Sequence, residues 1–179
     1  ILSRIHDISS VNYGRFDSNL LAPLDSWQQF TDTFFEESLR RLERTPIFWN
    51  KYSSLLINEY QEAIKSQEVF CDPRFLHSDF HLNNLLFNNL KAVAVLDTDM
   101  VTSGDPAWDL GHYCHTFNVN RLEGVKAFKE GYGKKSDLER ERLYALIIWT
   151  KKIASQALDR PEALKETIPE LEKIIRREQ

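Results

Sequence analysis

Glycine is scarce in this chain, and what there is stands in the wrong places for a phosphate-covering loop. None of the six glycines (Gly14, Gly104, Gly111, Gly124, Gly131, Gly133) falls in a G-x-G-x-x-G string after a strand. The nearest candidate, Gly131-Tyr132-Gly133-Lys134-Lys135, follows a helical pattern and reads as a helix end. Cysteine is scarcer still. Cys71 and Cys114 are the whole supply, without C-x-x-C spacing, which excludes a disulfide framework and leaves two reduced, partly buried thiols in a cytoplasmic protein. No apolar run approaches the roughly 18–20 residues of a membrane span. No signal peptide is visible, and mean hydropathy is −0.45. Basic residues are scattered rather than clustered and the net charge is −4, which argues against a nucleic-acid surface. That mild acidity would suit a cationic small substrate, but it is too slight to choose one. The only methionine is Met100, and the chain opens inside an apolar-periodic stretch, Ile1-Leu2-Ser3-Arg4-Ile5-His6. The expectation is one lobe of a longer protein whose glycine-rich, nucleotide-holding part is absent.

What is present is a pair of acidic clusters in a fixed order. His77-Ser78-Asp79-Phe80-His81-Leu82-Asn83-Asn84 has the spacing H-x-D-x-x-x-x-N, and Val95-Leu96-Asp97-Thr98-Asp99 ends an apolar run about a dozen residues later. This is the layout of a kinase catalytic loop followed by its magnesium-binding strand. Phosphoryl transfer to a hydroxyl needs a carboxylate near the leaving proton and oxygen ligands for Mg²⁺ a few ångströms away. One turning loop can supply Asp79 as base and Asn84 as metal ligand, and a hairpin can bring Asp97 alongside.

The rest of the pattern is mostly helical. Residues 1–9 read as a helix end and 11–25 as a loop. Ser26 can cap a helix with Trp27, Phe30, Phe34, Leu39 and Leu42 on one face, broken at Pro46. A second helix carries Phe48, Tyr52, Leu55, Leu56, Tyr60 and Ile64. Short extended pieces come next at 74–76, 85–87 and 91–96, the last two forming a hairpin about an Asn88-Asn89 turn. Helices are expected at about 106–117, 121–132, 137–159 and 161–177, with Pro161 near N1 and Asp159 as its cap. With no repeats or linkers, residues 1–179 read as a single domain of mainly α character with a small β-hairpin (α+β).

Each site residue has an ordinary alternative. A lone loop Asp usually makes turn hydrogen bonds; the offsets to Asn84 and Asp97 favour chemistry for Asp79. Asn84 competes with Asn83, Asn88 and Asn89 and is preferred by its position five after the Asp. Strand ends carry solvated carboxylates, which is the alternative for Asp97. Asp99 is a further metal ligand, a substrate contact or a helper that orients the loop. In Gly104-Asp105-Pro106-Ala107-Trp108-Asp109-Leu110, Asp105 reads as a helix cap and Asp109 as a brace for the loop through backbone hydrogen bonds. His77 and His81 read as hydrogen-bonded packing residues. A zinc reading of His112, Cys114 and His115 with His77 and His81 is weak.

With these residues in place, the chain resembles the aminoglycoside phosphotransferase / choline kinase-like family of small-molecule kinases, through Leu76–Phe87, Val93–Asp99 and Gly104–Gly111. The resemblance implies the C-terminal, helical lobe of a protein-kinase-like fold. It implies a catalytic Asp79, magnesium ligands Asn84 and Asp97, and a structural Asp105 and Asp109. It also implies ATP (or GTP) as co-substrate and a small-molecule hydroxyl, on an aminoglycoside, sugar, choline or similar compound, as acceptor. The family's frequent glycine after the first His is Ser78 here. Two other readings stand beside it: a metal-dependent hydrolase with His77, Asp79 and His81 as ligands, and a non-catalytic remnant that binds a partner or ligand. Surface exposed by the missing lobe would favour a homo-oligomer.

Overall fold

The computed structural model describes residues 1–65, 72–116 and 121–177. Among them, seven α-helices and five short strands run in chain order: α1 (Leu2–Ile5), β1 (Gly14–Arg15), α2 (Trp27–Leu42), α3 (Pro46–Lys65), β2 (Arg74–Leu76), β3 (Leu85–Asn88), β4 (Lys91–Val95), β5 (Thr102–Gly104), α4 (Ala107–Thr116), α5 (Arg121–Tyr132), α6 (Leu138–Asp159) and α7 (Leu164–Ile175). The fold is mainly helical with a small β-hairpin, as the pattern predicts, and it adds a second antiparallel sheet of three strands that the pattern does not show.

The helices form where the sequence sets both ends. Ser26 Oγ accepts from Gln29 N–H at 3.1 Å, which caps α2, and α3 starts at Pro46, whose missing N–H costs nothing in a first turn. Asp137 caps α6 by accepting from Glu139 and Arg140 N–H. Gly133, at φ 73°, donates its N–H to Lys129 O and ends α5. The string at 131–135 is therefore a helix end.

α6 is the axis of the molecule. Leu143, Leu146, Ile147, Trp149 and Ile153 meet Trp27, Phe35 and Leu42 of α2, Tyr52 and Leu56 of α3, and Leu171 and Ile174 of α7 in one buried cluster. A second, smaller cluster of Leu2, Phe80, Leu110, Tyr113 and Tyr132 lies beneath the 77–84 loop.

Four expectations need adjusting. α1 stops at Ile5 because the chain then runs beside β2: Phe75 N–H donates to Ile8 O and Ser10 N–H to Pro73 O. The 161–177 helix is split into a 3₁₀ turn at Pro161–Ala163 and α7, and Asp159 ends α6 instead of capping the 3₁₀ turn. The hairpin turns one residue later than Asn88-Asn89, since Asn89 and Leu90 hold positive φ (48° and 63°). Phe30, Phe34 and Leu39 are only half-buried, and Trp27, Thr31, Phe35, Ser38 and Leu42 form the inner face of α2. Cys71 lies outside the described residues; Cys114 is a free thiol whose pKa is pushed up to about 12, chiefly by burial. Among the described residues no helix is long and apolar enough to cross a membrane.

The three-stranded sheet runs β1-β5-β2, with Arg15 opposite Thr102 and Leu76 opposite Thr102 on the other side. It packs on Trp27 so tightly that a Cβ on Gly104 would overlap the indole ring, which is itself buried. Gly104→Ala should therefore destabilise the protein by about 2–3 kcal/mol, at the upper end of overpacking costs. Denaturant unfolding measures it, and a loss under ~0.5 kcal/mol would mean that Trp27 has room to move.

Candidate active site

Two loops meet at one end of this sheet. Because Leu76 and Thr102 are antiparallel partners, the segment leaving β2 (His77 onward) and the segment entering β5 (97–101) emerge side by side. The hairpin is tied to the same place. Leu85 pairs with Val95, and Leu96 N–H donates to Asn84 O at 2.8 Å, so Asp97 stands one residue past the partner of Asn84. His77 closes the arrangement. Its ring is buried, Nε2–H donates to Leu96 O at 2.9 Å, and Nδ1 accepts from Asp79 N–H at 3.3 Å.

Asp79 sits in the turn thus formed, with 35% of its side chain exposed, enough for a small molecule to reach it. Asn84 Nδ2 donates to Asp79 O at 3.0 Å and to Asp79 Oδ2 at 3.3 Å. This fixes which way the amide faces and leaves its oxygen as the group Asn84 can offer a cation. His81 Nδ1 accepts from Asn83 N–H and caps the 3₁₀ turn Leu82–Asn84, so the ring's Nε2–H faces Asp79 Oδ2 at 3.5 Å. Asp97 and Asp99 are both exposed on the loop beyond β4, and Asp97 has φ 58°, a conformation Asp tolerates better than most residues.

The loop is braced from below. Asp109, fully buried on α4, accepts from His77 N–H at 2.8 Å and from Ser78 N–H at 2.7 Å. Its Oδ2 also accepts from His6 Nε2–H at 3.0 Å, while Tyr132 OH donates to His6 Nδ1 at 2.8 Å. Asp105 accepts from Ala107 N–H at the start of α4, and from Arg140 Nη1 and Tyr144 OH, which clamps α4 to α6. Ser78 has φ 65°, where glycine would be unstrained; its hydroxyl meets that of Thr102.

Three contributors escape a reading by motif. His6 has no neighbour in sequence that marks it. Thr102 matters through Ser78. His112 comes within 3.8 Å of Asp79 Oδ1 and is held neutral by burial, its pKa lowered to about 4 against the pull of Asp79 and Asp109. Its position three after Asp109, on the same helical face, was a usable signal. Among the described residues no three His, Cys, Asp or Glu side chains are grouped to hold a metal. His77 has both ring nitrogens engaged, which weighs against the hydrolase reading with His77 as a ligand.

A family model described as a phosphotransferase enzyme family (APH) matches residues 1–144. The chain belongs to that family. Solved aminoglycoside phosphotransferases share its fold. A thermostable mutant of APH(4)-Ia, crystallised with AMP-PNP and hygromycin B, superposes with a TM-score of 0.76 at 17% identity. Another crystal structure of APH(4)-Ia gives 0.72 at 15%. Spectinomycin phosphotransferase APH(9)-Ia, with ADP and spectinomycin, gives 0.60 at 18%. In each case 98% of this chain aligns with 61% of the other, so this member of the phosphotransferase family spans about three fifths of the length of these solved relatives. No curated protein matches it.

Proposed function

We propose that this chain carries the catalytic face of an ATP- and Mg²⁺-dependent phosphotransferase that moves a γ-phosphoryl group to a hydroxyl of a small molecule. The observation that carries the reading is the junction of Asp79, Asn84 and Asp97: the Asn84 amide is bonded to Asp79, and Asp97 follows the residue paired with Asn84. Asp79 accepts the proton of the attacking hydroxyl as the new P–O bond forms, while the bond from the γ-phosphorus to the β,γ-bridging oxygen breaks and ADP leaves. Its partners, Asn84 Nδ2 and the His81 ring, hold the carboxylate in place. Asn84 and Asp97 offer an amide and a carboxylate oxygen, the hard donors that suit Mg²⁺, and Asp99 is a further oxygen within the same loop. Bound there, Mg²⁺ would neutralise charge on the phosphates. The solved relatives crystallised with AMP-PNP or ADP support an adenine nucleotide as donor.

The metal assignment has a direct test. Asp97→Ala should raise the Mg²⁺ concentration needed for half-maximal turnover at least as much as Asn84→Ala, because a charged oxygen outranks a neutral amide for a hard cation. Mg²⁺ titrations of activity in both variants read this out. An Asp97→Ala enzyme with an unchanged metal requirement would remove Asp97 from the ligand set. ATP turnover restored by a fused or co-expressed nucleotide-holding lobe would count against the non-catalytic reading.

A further inference from the structure

One wall beside Asp79 carries three cations with no ion-pair partner among the described residues. Lys151, in the middle of α6, is half-buried, and its Nζ lies 4.5 Å above the Phe34 ring. Phe34 is itself set edge-on against Trp108, with centroids 5.3 Å apart and planes at 88°, so the platform is held. Arg41 extends from α2 to within 3.5 Å of Ser155 Oγ, one helical turn beyond Lys151. Arg15 on β1 is opposite Thr102, whose hydroxyl meets Ser78 next to Asp79. Arg15 and Arg41 both act electrostatically on Lys151. The carboxylates that act most strongly on Lys151 are Glu37 on α2 and Asp79, and neither forms an ion pair with it. Burial first, and then Arg15 and Arg41, lower the ammonium pKa from its ordinary value. A partly desolvated cation resting on an aromatic face and repelled by two guanidinium groups is relieved by an incoming anion.

We propose that Lys151, with Arg15 and Arg41, forms an anion subsite for the acceptor, so that the hydroxyl compound bound here carries a carboxylate or phosphate in place of the amines of an aminoglycoside. The word acceptor rests on the phosphotransferase reading above; the binding of an anion does not. Local charge overrides the slight overall acidity that would suit a cation. The subsite belongs to the acceptor because it is built on α6 and α2 and senses Asp79, the base that meets the attacking hydroxyl, whereas the metal candidates lie on the 3₁₀ turn before β3 (Asn84) and the loop after β4 (Asp97). Neither Asp97 nor Asp99 is among the largest charges acting on Lys151.

Calorimetric titration of the 179-residue chain with four probes tests this: glycerate, glycerol 3-phosphate, glycerol and hygromycin B. The two anions should bind, and glycerol and hygromycin B should not. Lys151→Met should weaken both anions by about tenfold or more, the worth of one charge-assisted contact. Lys151→Arg should keep them within about threefold, circular dichroism and thermal melting showing that both variants fold. Anion binding indifferent to Lys151→Met, no binding of either anion, or tighter binding of hygromycin B would overturn the proposal. So would a loss of AMP-PNP binding in Lys151→Met, which would assign the cations to nucleotide phosphates. The two readings fail separately: turnover indifferent to Asp79→Asn would sink the catalytic assignment while leaving anion binding intact.

Discussion

Asp79→Asn should lower kcat by about 10²–10⁴-fold, the range a positioned general base contributes, and leave KM within about threefold. The substitution is nearly isosteric, so the loop keeps its shape: His77 still anchors to Leu96 O, and Asp109 still holds the backbone at His77 and Ser78. What disappears is the capacity to take a proton in the transition state, which ground-state binding does not use. Thermal stability should change by less than ~1 kcal/mol, because the side chain is 35% exposed and leaves no buried partner stranded. Steady-state kinetics beside a melting curve separate the two effects. A kcat within about threefold of the parent would take Asp79 out of the chemistry.

The site was legible in the sequence to the extent that its parts are local. In H-x-D-x-x-x-x-N the offsets are short enough for one turn to close on itself, as the Asn84 amide does on Asp79. The hairpin that delivers Asp97 announces itself through the Ala92-Val93-Ala94-Val95 run and the asparagines before it, although the turn residues proved to be Asn89 and Leu90. Helix caps at Ser26 and Asp137 likewise act within three residues of themselves. What escaped is non-local. β1 is two residues long and exists because Gly14 and Arg15 find β5 across much of the chain. The ring beneath Lys151 comes from α2, and nothing near Lys151 in the sequence marks it as different from an exposed helical lysine. Phe34 read as a core residue on an apolar stripe; that it is only half-buried, and so able to carry a cation, depends on how α2 rolls against α6. The same holds for His6, whose partners are Asp109 and Tyr132, both more than a hundred residues away.

Asp109→Ala should be the most damaging single change to the fold around the site. The carboxylate is fully buried and accepts three hydrogen bonds, from His77 N–H, Ser78 N–H and His6 Nε2–H. Removing it strands the buried His77 N–H and His6 ring donors and the half-buried Ser78 N–H, a loss of about 3–5 kcal/mol by analogy with broken buried charge networks. Asp109→Asn should not rescue it, because one arm of the amide would present N–H to a donor. The consequence for activity comes from the same bonds. Ser78 sits at φ 65° and is held there partly by its N–H to Asp109; once released, it can relax toward negative φ and swing Asp79 away from Asn84. Both kcat and stability should therefore fall together, in contrast to Asp79→Asn. Hydrogen exchange at the His77 and Ser78 amides is the discriminating measurement. Strong protection in the parent and fast exchange in Asp109→Ala, at temperatures where α6 remains protected, is the expected pattern. Retained protection of these two amides in a folded Asp109→Ala variant would show that β2 and β5 hold the loop without the carboxylate.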